Sequence, residues 1–212
     1  MIKLIKKKKL IIFDLDGVLI DSKNNMRFAW NSVKKKHNLN KSFYEYFNQI
    51  GKPFQDILET LGIEKKRKII EDDFSKESIN NFHKIKLYKN VKKILRLLNK
   101  KKEISTAIVT SKNKNRTKKI IELFDLKVDF IQCPERNLKG KPHPDQILKV
   151  IKKFKINKKN CFYIGDTIFD KQSAERSKIK FIFAKYGYKI GIKNYHLNIR
   201  KITELVDIIN EK

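Results

Sequence analysis

The sequence predicts an α/β protein, a doubly wound parallel sheet with an all-helical cap inserted after its first strand. Three observations predict it. Short apolar runs alternate with helix-period segments from Tyr88 to the end, the rhythm of a parallel sheet covered on both faces. Two of those runs, residues 10–13 and 161–164, stop abruptly at Asp and Gly, as buried strands do. Between Ser22 and Lys86 no strand pattern occurs. The expected division is therefore a core of residues 1–21 and 87–212 and a helical insertion of residues 22–86.

Each element has its own signal. After the first strand, Met26, Ala29, Trp30 and Val33 recur at helix spacing. Trp30 and Phe28 are expected in the packing of that helix. An aromatic stretch from Phe43 to Phe47 follows. Gly51-Lys52-Pro53 reads as a turn that opens a helix, continued by Phe54, Ile57, Leu58 and Leu61 and stopped at Gly62. Ile69, Ile70, Phe74, Ile79, Phe82 and Ile85 suggest one or two further helices. In the core, Val91, Ile94, Leu95 and Leu98 form a helix face before a strand over residues 104–109. A helix around Ile120, a strand over 128–131, a helix around Ile147 and the strand at Cys161 come next. A short helix is expected after Asp170, then a strand over 179–184 and a closing helix through Ile202, Leu205, Val206 and Ile209.

Ligands of such sheets sit beyond the carboxyl ends of the strands. Asp14 and Asp16 follow the first run, Asp166 and Asp170 the later one, so two distant pieces of chain deliver four carboxylates to one crevice. Carboxylates at that density repel one another unless a cation lies among them. Hard oxygen ligands suit Mg²⁺, which also binds phosphate oxygens. The strand ending at Val109 adds the hydroxyls of Thr110 and Ser111. The loop Gly140-Lys141-Pro142-His143-Pro144-Asp145 adds an ammonium whose origin two prolines restrict. A hydroxyl and an ammonium are what a phosphoryl group requires of its site.

Asp14-x-Asp16, Thr110, Lys141 and Gly165-Asp166-x-x-x-Asp170, in that order, resemble the haloacid-dehalogenase-like hydrolase superfamily, in its phosphoglycolate phosphatase and β-phosphoglucomutase branch. The resemblance covers nearly the whole chain and implies a Rossmann-like core. It implies Asp14 as a nucleophile that forms an aspartyl-phosphate and Asp16 as the general acid and base. Mg²⁺ would be held by Asp14, Asp166 and the Asp16 main-chain carbonyl, with Asp170 holding a metal-bound water or Lys141. Thr110 and Lys141 would grip the transferring phosphoryl group, aided by Ser111 and the Gly17 amide. Lys52 would meet a negatively charged substrate tail from the cap, and His143 would pack the loop. Asp at position 16 favours phosphate esters over carbon–halogen or phosphonate cleavage. Two departures stand out. Met26 replaces the histidine that assists the mutases, which favours hydrolysis over the phosphomutase alternative. Ser177-Lys178 ends a helix where relatives carry glycine.

The chain of 212 residues has a formal net charge of +28, with 51 Lys+Arg against 23 Asp+Glu. Such a balance raises a nucleic-acid-binding alternative. Against it, the cations are spread along the chain and overwhelmingly lysine, whereas specific recognition favours arginine. The expected partner is a small phosphorylated metabolite, phosphoglycolate or a sugar phosphate, with no specific nucleic acid. No stretch approaches the roughly 18 apolar residues of a membrane span, and the N-terminal apolar run is too short for a secretory signal. Cys133 and Cys161 read as buried thiols of a reducing compartment, hence the cytoplasm. The expected state is a monomer or homodimer.

Overall fold

The structure is a computed structural model that describes residues 8–210. The basic N-terminal stretch from Met1 to Lys7, and residues 211–212, lie outside them.

A six-stranded sheet forms the core, in the order β5-β4-β1-β6-β7-β8. Its strands are β1 (Lys9–Phe13), β4 (Ile104–Val109), β5 (Phe130–Gln132), β6 (Cys161–Gly165), β7 (Lys180–Ala184) and β8 (Asn198–Ile199). Every pairing is parallel. Side chains alternate across a strand, so β1 feeds two cores. Ile11 and Phe13 join Ile94, Leu98, Ile120 and Leu205 on one face. Leu10 and Ile12 join Ile147, Val150, Ile151 and Ala174 on the other. The first face is covered by α5 (Val91–Asn99), α6 (Lys114–Phe124) and α9 (Leu205–Asn210), the second by α7 (Asp145–Phe154) and α8 (Ile168–Ser177). This is the expected doubly wound sheet.

The remaining elements are helical apart from a two-stranded ribbon. α1 (Lys23–Lys36), α2 (Phe43–Phe47), α3 (Phe54–Thr60) and α4 (Arg67–Asn80) enclose a third core. Trp30 lies fully buried at its centre, stacked on Tyr46 with ring centroids 4.4 Å apart. Its indole N–H donates to the Lys41 carbonyl. Phe28 departs from expectation, because it is 54 % exposed with the Lys84 ammonium over its ring. The ribbon, β2 (Ile20–Asp21) with β3 (Lys86–Leu87), is antiparallel and joins the outgoing and returning chains. Strands of two residues show no readable period, which is why neither it nor β8 is visible in the sequence.

Several boundaries also shift, β7 among them, which starts at Lys180 rather than at residue 179. β5 starts at Phe130 rather than at residue 128. α8 begins at Ile168, so Asp170 lies inside its first turn. The closing helix is preceded by a 3-10 turn at Ile202–Glu204. Lys178 takes the left-handed conformation with φ 59° and ψ 46° and caps α8 as a glycine would. Among the described residues no helix is long and apolar enough to cross a membrane.

Candidate active site

Sheet register builds the site. Phe13 pairs with Ile108 of β4 and Ile164 of β6, and the Asp14 amide donates to the Ile164 carbonyl at 2.8 Å. Asp14 therefore emerges between the carboxyl ends of the two strands that carry Thr110 and Asp166. Gly17 makes the crossing possible. Its φ is +83°, and a Cβ there would lie 2.1 Å from an Asp166 carboxylate oxygen.

Asp14, Asp166 and Asp170 bring carboxylate oxygens within 4.8 Å of one another. Lys141 lies between two of them, its Nζ 2.6 Å from Asp14 Oδ1 and 2.7 Å from Asp170 Oδ1. Asp170 is filled by protein donors. Its Oδ1 also accepts from the Tyr163 hydroxyl at 2.9 Å. Its Oδ2 accepts from the Thr167 amide and hydroxyl, in a reciprocal capping box whose N-cap residue is Thr167. Asp170 thus orients Lys141 and starts α8 at once.

Asp166 is the opposite case. Its Oδ2 accepts from the Tyr188 amide at 2.6 Å. Its Oδ1 is buried with no hydrogen-bond partner among the described residues, a costly state for a carboxylate oxygen. A divalent cation would satisfy it, and the all-oxygen donor set suits a hard ion.

Electrostatics follow from burial and neighbours. Burial pushes the Asp14 carboxyl up to about 7, against the pull of Lys141. Burial, with Asp170 and Asp14 adding like charge, raises Asp166 well above the carboxylate range. Burial acts on Asp170 too, but Lys141 and its hydrogen bonds hold that carboxyl below its usual value. For Lys141, its two carboxylate partners outweigh burial and hold the ammonium above its usual range.

Above these residues lies a cavity of about 60 Å³, lined by Asp14, Asp16 and Thr110 at the sheet edge and by Met26, Gly51 and Lys52 of the helical segment, among others. Asp16 is held by the Ser22 hydroxyl and by Lys112 Nζ, 3.1 Å from Oδ1. Thr110 is 1 % exposed, and its hydroxyl accepts from the Lys112 amide.

Three predicted substrate contacts are committed elsewhere. The Gly17 amide donates to the Ile20 carbonyl. The Ser111 hydroxyl donates to the Gly51 carbonyl at 2.6 Å, tying the end of β4 to the helical segment. Lys52 lines the cavity, but its ammonium donates to Gln49 and Thr60 and rests over Phe169. His143 takes a loop role, its carbonyl accepting from Ser173.

Sequence reasoning missed Lys112, Arg116, Tyr163 and Tyr188. Lys112 is buried, and burial, then the charge of Arg116, pushes its ammonium down to about 8. Among so many lysines it carried no signal, although it follows Thr110-Ser111 directly. Tyr188 reaches the site only through the loop after β7.

Comparison with known proteins agrees with this geometry. The family model described as haloacid dehalogenase-like hydrolase matches residues 11–184. The phosphoglycolate phosphatase of Aquifex aeolicus is 26 % identical over 95 % of this chain and 97 % of its own. The pyrophosphatase PpaX of Oceanobacillus iheyensis is 24 % identical over 96 % and 97 % respectively. Among solved structures, a hydrolase from Pseudomonas syringae superposes with a TM-score of 0.81 at 24 % identity, covering 96 % of this chain and all of that one. With its motif carboxylates gathered at the carboxyl edge of such a sheet, the chain belongs to the haloacid dehalogenase-like hydrolase family, among its phosphatases.

Proposed function

We propose that this chain is a magnesium-dependent phosphomonoester hydrolase that acts on a small phosphorylated metabolite through a phosphorylated Asp14. One observation carries the reading. Asp14 is buried with Oδ1 held by Lys141, Oδ2 bears no hydrogen bond from any described residue, and the side chain faces a cavity it shares with Asp16 and Thr110.

In this reading Asp14 attacks phosphorus while Lys141 and Thr110 bind the equatorial oxygens. The P–O bond to the leaving group breaks, and Asp16 gives its proton to the departing oxygen. Asp16 then takes a proton from water, the water oxygen attacks the phosphorus, the P–O bond to the Asp14 oxygen breaks, and inorganic phosphate leaves with the Asp14 carboxylate restored. Asp14, Asp166 and the Asp16 main-chain carbonyl would hold Mg²⁺, which supplies charge neutralisation on the phosphoryl oxygens. A cation there also favours the ionised form of Asp14, which burial alone opposes.

The small cavity, lined on one side by Gly51 and Lys52, supports a compact substrate and a cap that moves for exchange. Relatives named phosphoglycolate phosphatase and pyrophosphatase point the same way. Phosphoglycolate, a sugar phosphate and pyrophosphate are the leading substrates. Met26 lines the cavity and offers no acid or base for mutase chemistry. The helical segment of residues 22–86 acts as the cap in this reading, and two buried free thiols fit a cytoplasmic setting. A screen of phosphorylated metabolites with Mg²⁺, and with EDTA as control, tests the proposal. Turnover of none of them, or undiminished turnover in EDTA, rejects it.

A further inference from the structure

We propose that Arg116 is the receptor for a second anionic group on the substrate, so that the enzyme favours compounds whose leaving group itself carries a carboxylate or a phosphate. The proposal rests on the phosphatase reading above and deepens it by assigning the specificity contact to a core arginine.

Arg116 stands in the first turn of α6, its amide capped by the Asn113 side chain. Its side chain is buried, with the residue 6 % exposed, and it lines the same cavity as Asp14 and Asp16. One edge of the guanidinium is fixed. Nε donates to Ser78 Oγ at 3.1 Å, and the group lies over the Phe74 ring with Cζ 5.0 Å from its centroid. Ser78 is locked in turn, donating to Asn25 Oδ1 at 2.7 Å while its carbonyl accepts from Asn25 Nδ2. The cap therefore sets the angle at which the arginine projects.

The other edge has no partner among the described residues. No described residue accepts from the two terminal nitrogens, and no described carboxylate lies within ion-pair distance. The neighbouring buried cations are all matched, Lys112 by Asp16 and Lys141 by Asp14 and Asp170. Glu71 shares the cavity wall, but it accepts from the Gln55 side chain. Burial disfavours the guanidinium charge, Asp16 and Glu71 favour it only from beyond ion-pair contact, and a bound anion would relieve the remaining penalty. The planar fork of a guanidinium matches carboxylate and phosphate in two parallel hydrogen bonds. Preorganisation by Ser78 and Phe74 reduces the entropy lost on binding. Lys52, the cap cation at the same cavity, is already donating to Gln49 and Thr60.

A purely structural role, docking core to cap through Ser78, predicts equal losses on every substrate. The test compares kcat/KM for phosphoglycolate and pyrophosphate, each divided by kcat/KM for ethyl phosphate, whose leaving group is uncharged. In Arg116→Gln at least one of these ratios should fall about 10- to 100-fold, the range for a hydrogen bond to a charged group. A fall with phosphoglycolate alone assigns a carboxylate receptor, and a fall with pyrophosphate alone a phosphate receptor. Ratios unchanged within about twofold overturn the proposal. Should Arg116→Gln fail to fold, Arg116→Lys keeps the charge but loses the fork, and the same ratios should fall by a smaller factor. A second readout needs no turnover. In calorimetry, the doubly substituted Asp14→Asn, Arg116→Gln protein should bind phosphoglycolate at least about tenfold more weakly than Asp14→Asn alone. If wild type hydrolyses none of these compounds yet this difference holds, the hydrolase reading fails and the anion receptor stands. Equal binding removes the receptor.

Discussion

Lys141 Nζ lies 2.6 Å from Asp14 Oδ1, and both groups are almost wholly removed from solvent. The ammonium thus serves the carboxylate expected to attack phosphorus, and Asp170 fixes it from the other side. Breaking a buried ion cluster by deleting one member is far costlier than deleting matched members. Lys141→Met should lower stability by about 3–5 kcal/mol and reduce kcat by about 10²–10³. Adding Asp170→Asn should restore part of the stability without restoring kcat, a non-additivity that chemical denaturation of the four proteins reads directly.

Nucleophile and acid should separate kinetically. Asp14→Asn should abolish turnover and acid-stable labelling of the protein by substrate phosphate together. Asp16→Asn should lose alkyl phosphates most and retain some activity on aryl phosphates, whose leaving groups depart without a proton. Normal turnover by Asp14→Asn would falsify the aspartyl-phosphate route.

Metal and pH should act on stability in a coupled way. Asp166 and Asp14 have folded-state values raised above the unfolded one. The folded state therefore holds extra protons above about pH 4, and metal-free stability falls as pH rises toward 7 and beyond. Asp170 has the opposite sign, its contribution lost only in acid. In metal-free buffer Asp166→Asn should melt higher than wild type at pH 8 by about 5 °C, with the gap closing toward pH 5. Mg²⁺ should raise the wild-type Tm, more at pH 8 than at pH 5, and leave Asp166→Asn almost unmoved. A metal-free wild type more stable than the variant at pH 8 would contradict the burial of an unsatisfied Asp166.

Lys178 should be replaceable with profit to the fold. A non-glycine residue in the left-handed region costs roughly 1–2 kcal/mol, and Lys178 sits there at φ 59°. Lys178→Gly should raise stability by about 1 kcal/mol, read as a rise of about 2–4 °C in Tm. It should leave kcat unaltered, because the residue lies at the far end of α8 from Asp170. Destabilisation would mean that the lysine stem packs usefully where glycine cannot.

The longer strands of the sheet and its helices are legible in the amino-acid order, because 3.6-residue and unbroken apolar patterns are local properties that burial enforces. Residues 10–13 and 161–164 could be read as strands, and the carboxylates beyond them as neighbours, since strand ends in such a sheet share one edge. Short elements escaped: β2, β3 and β8 of two residues each exist only because a partner strand completes them. Side-chain commitments escaped for a deeper reason. Whether Ser111 faces a phosphate or the cap, whether Lys52 is free, and whether Lys112 and Arg116 are solvated or buried are settled by groups far away in the chain. Ser111 donates to Gly51, Arg116 to Ser78, and Asp166 accepts from Tyr188. Composition made every lysine look alike. Loop context marks Lys141 in the sequence; for Lys112 and Arg116 it is tertiary packing alone, by withdrawing water from both and matching Lys112 with Asp16, that sets them apart from the solvated rest.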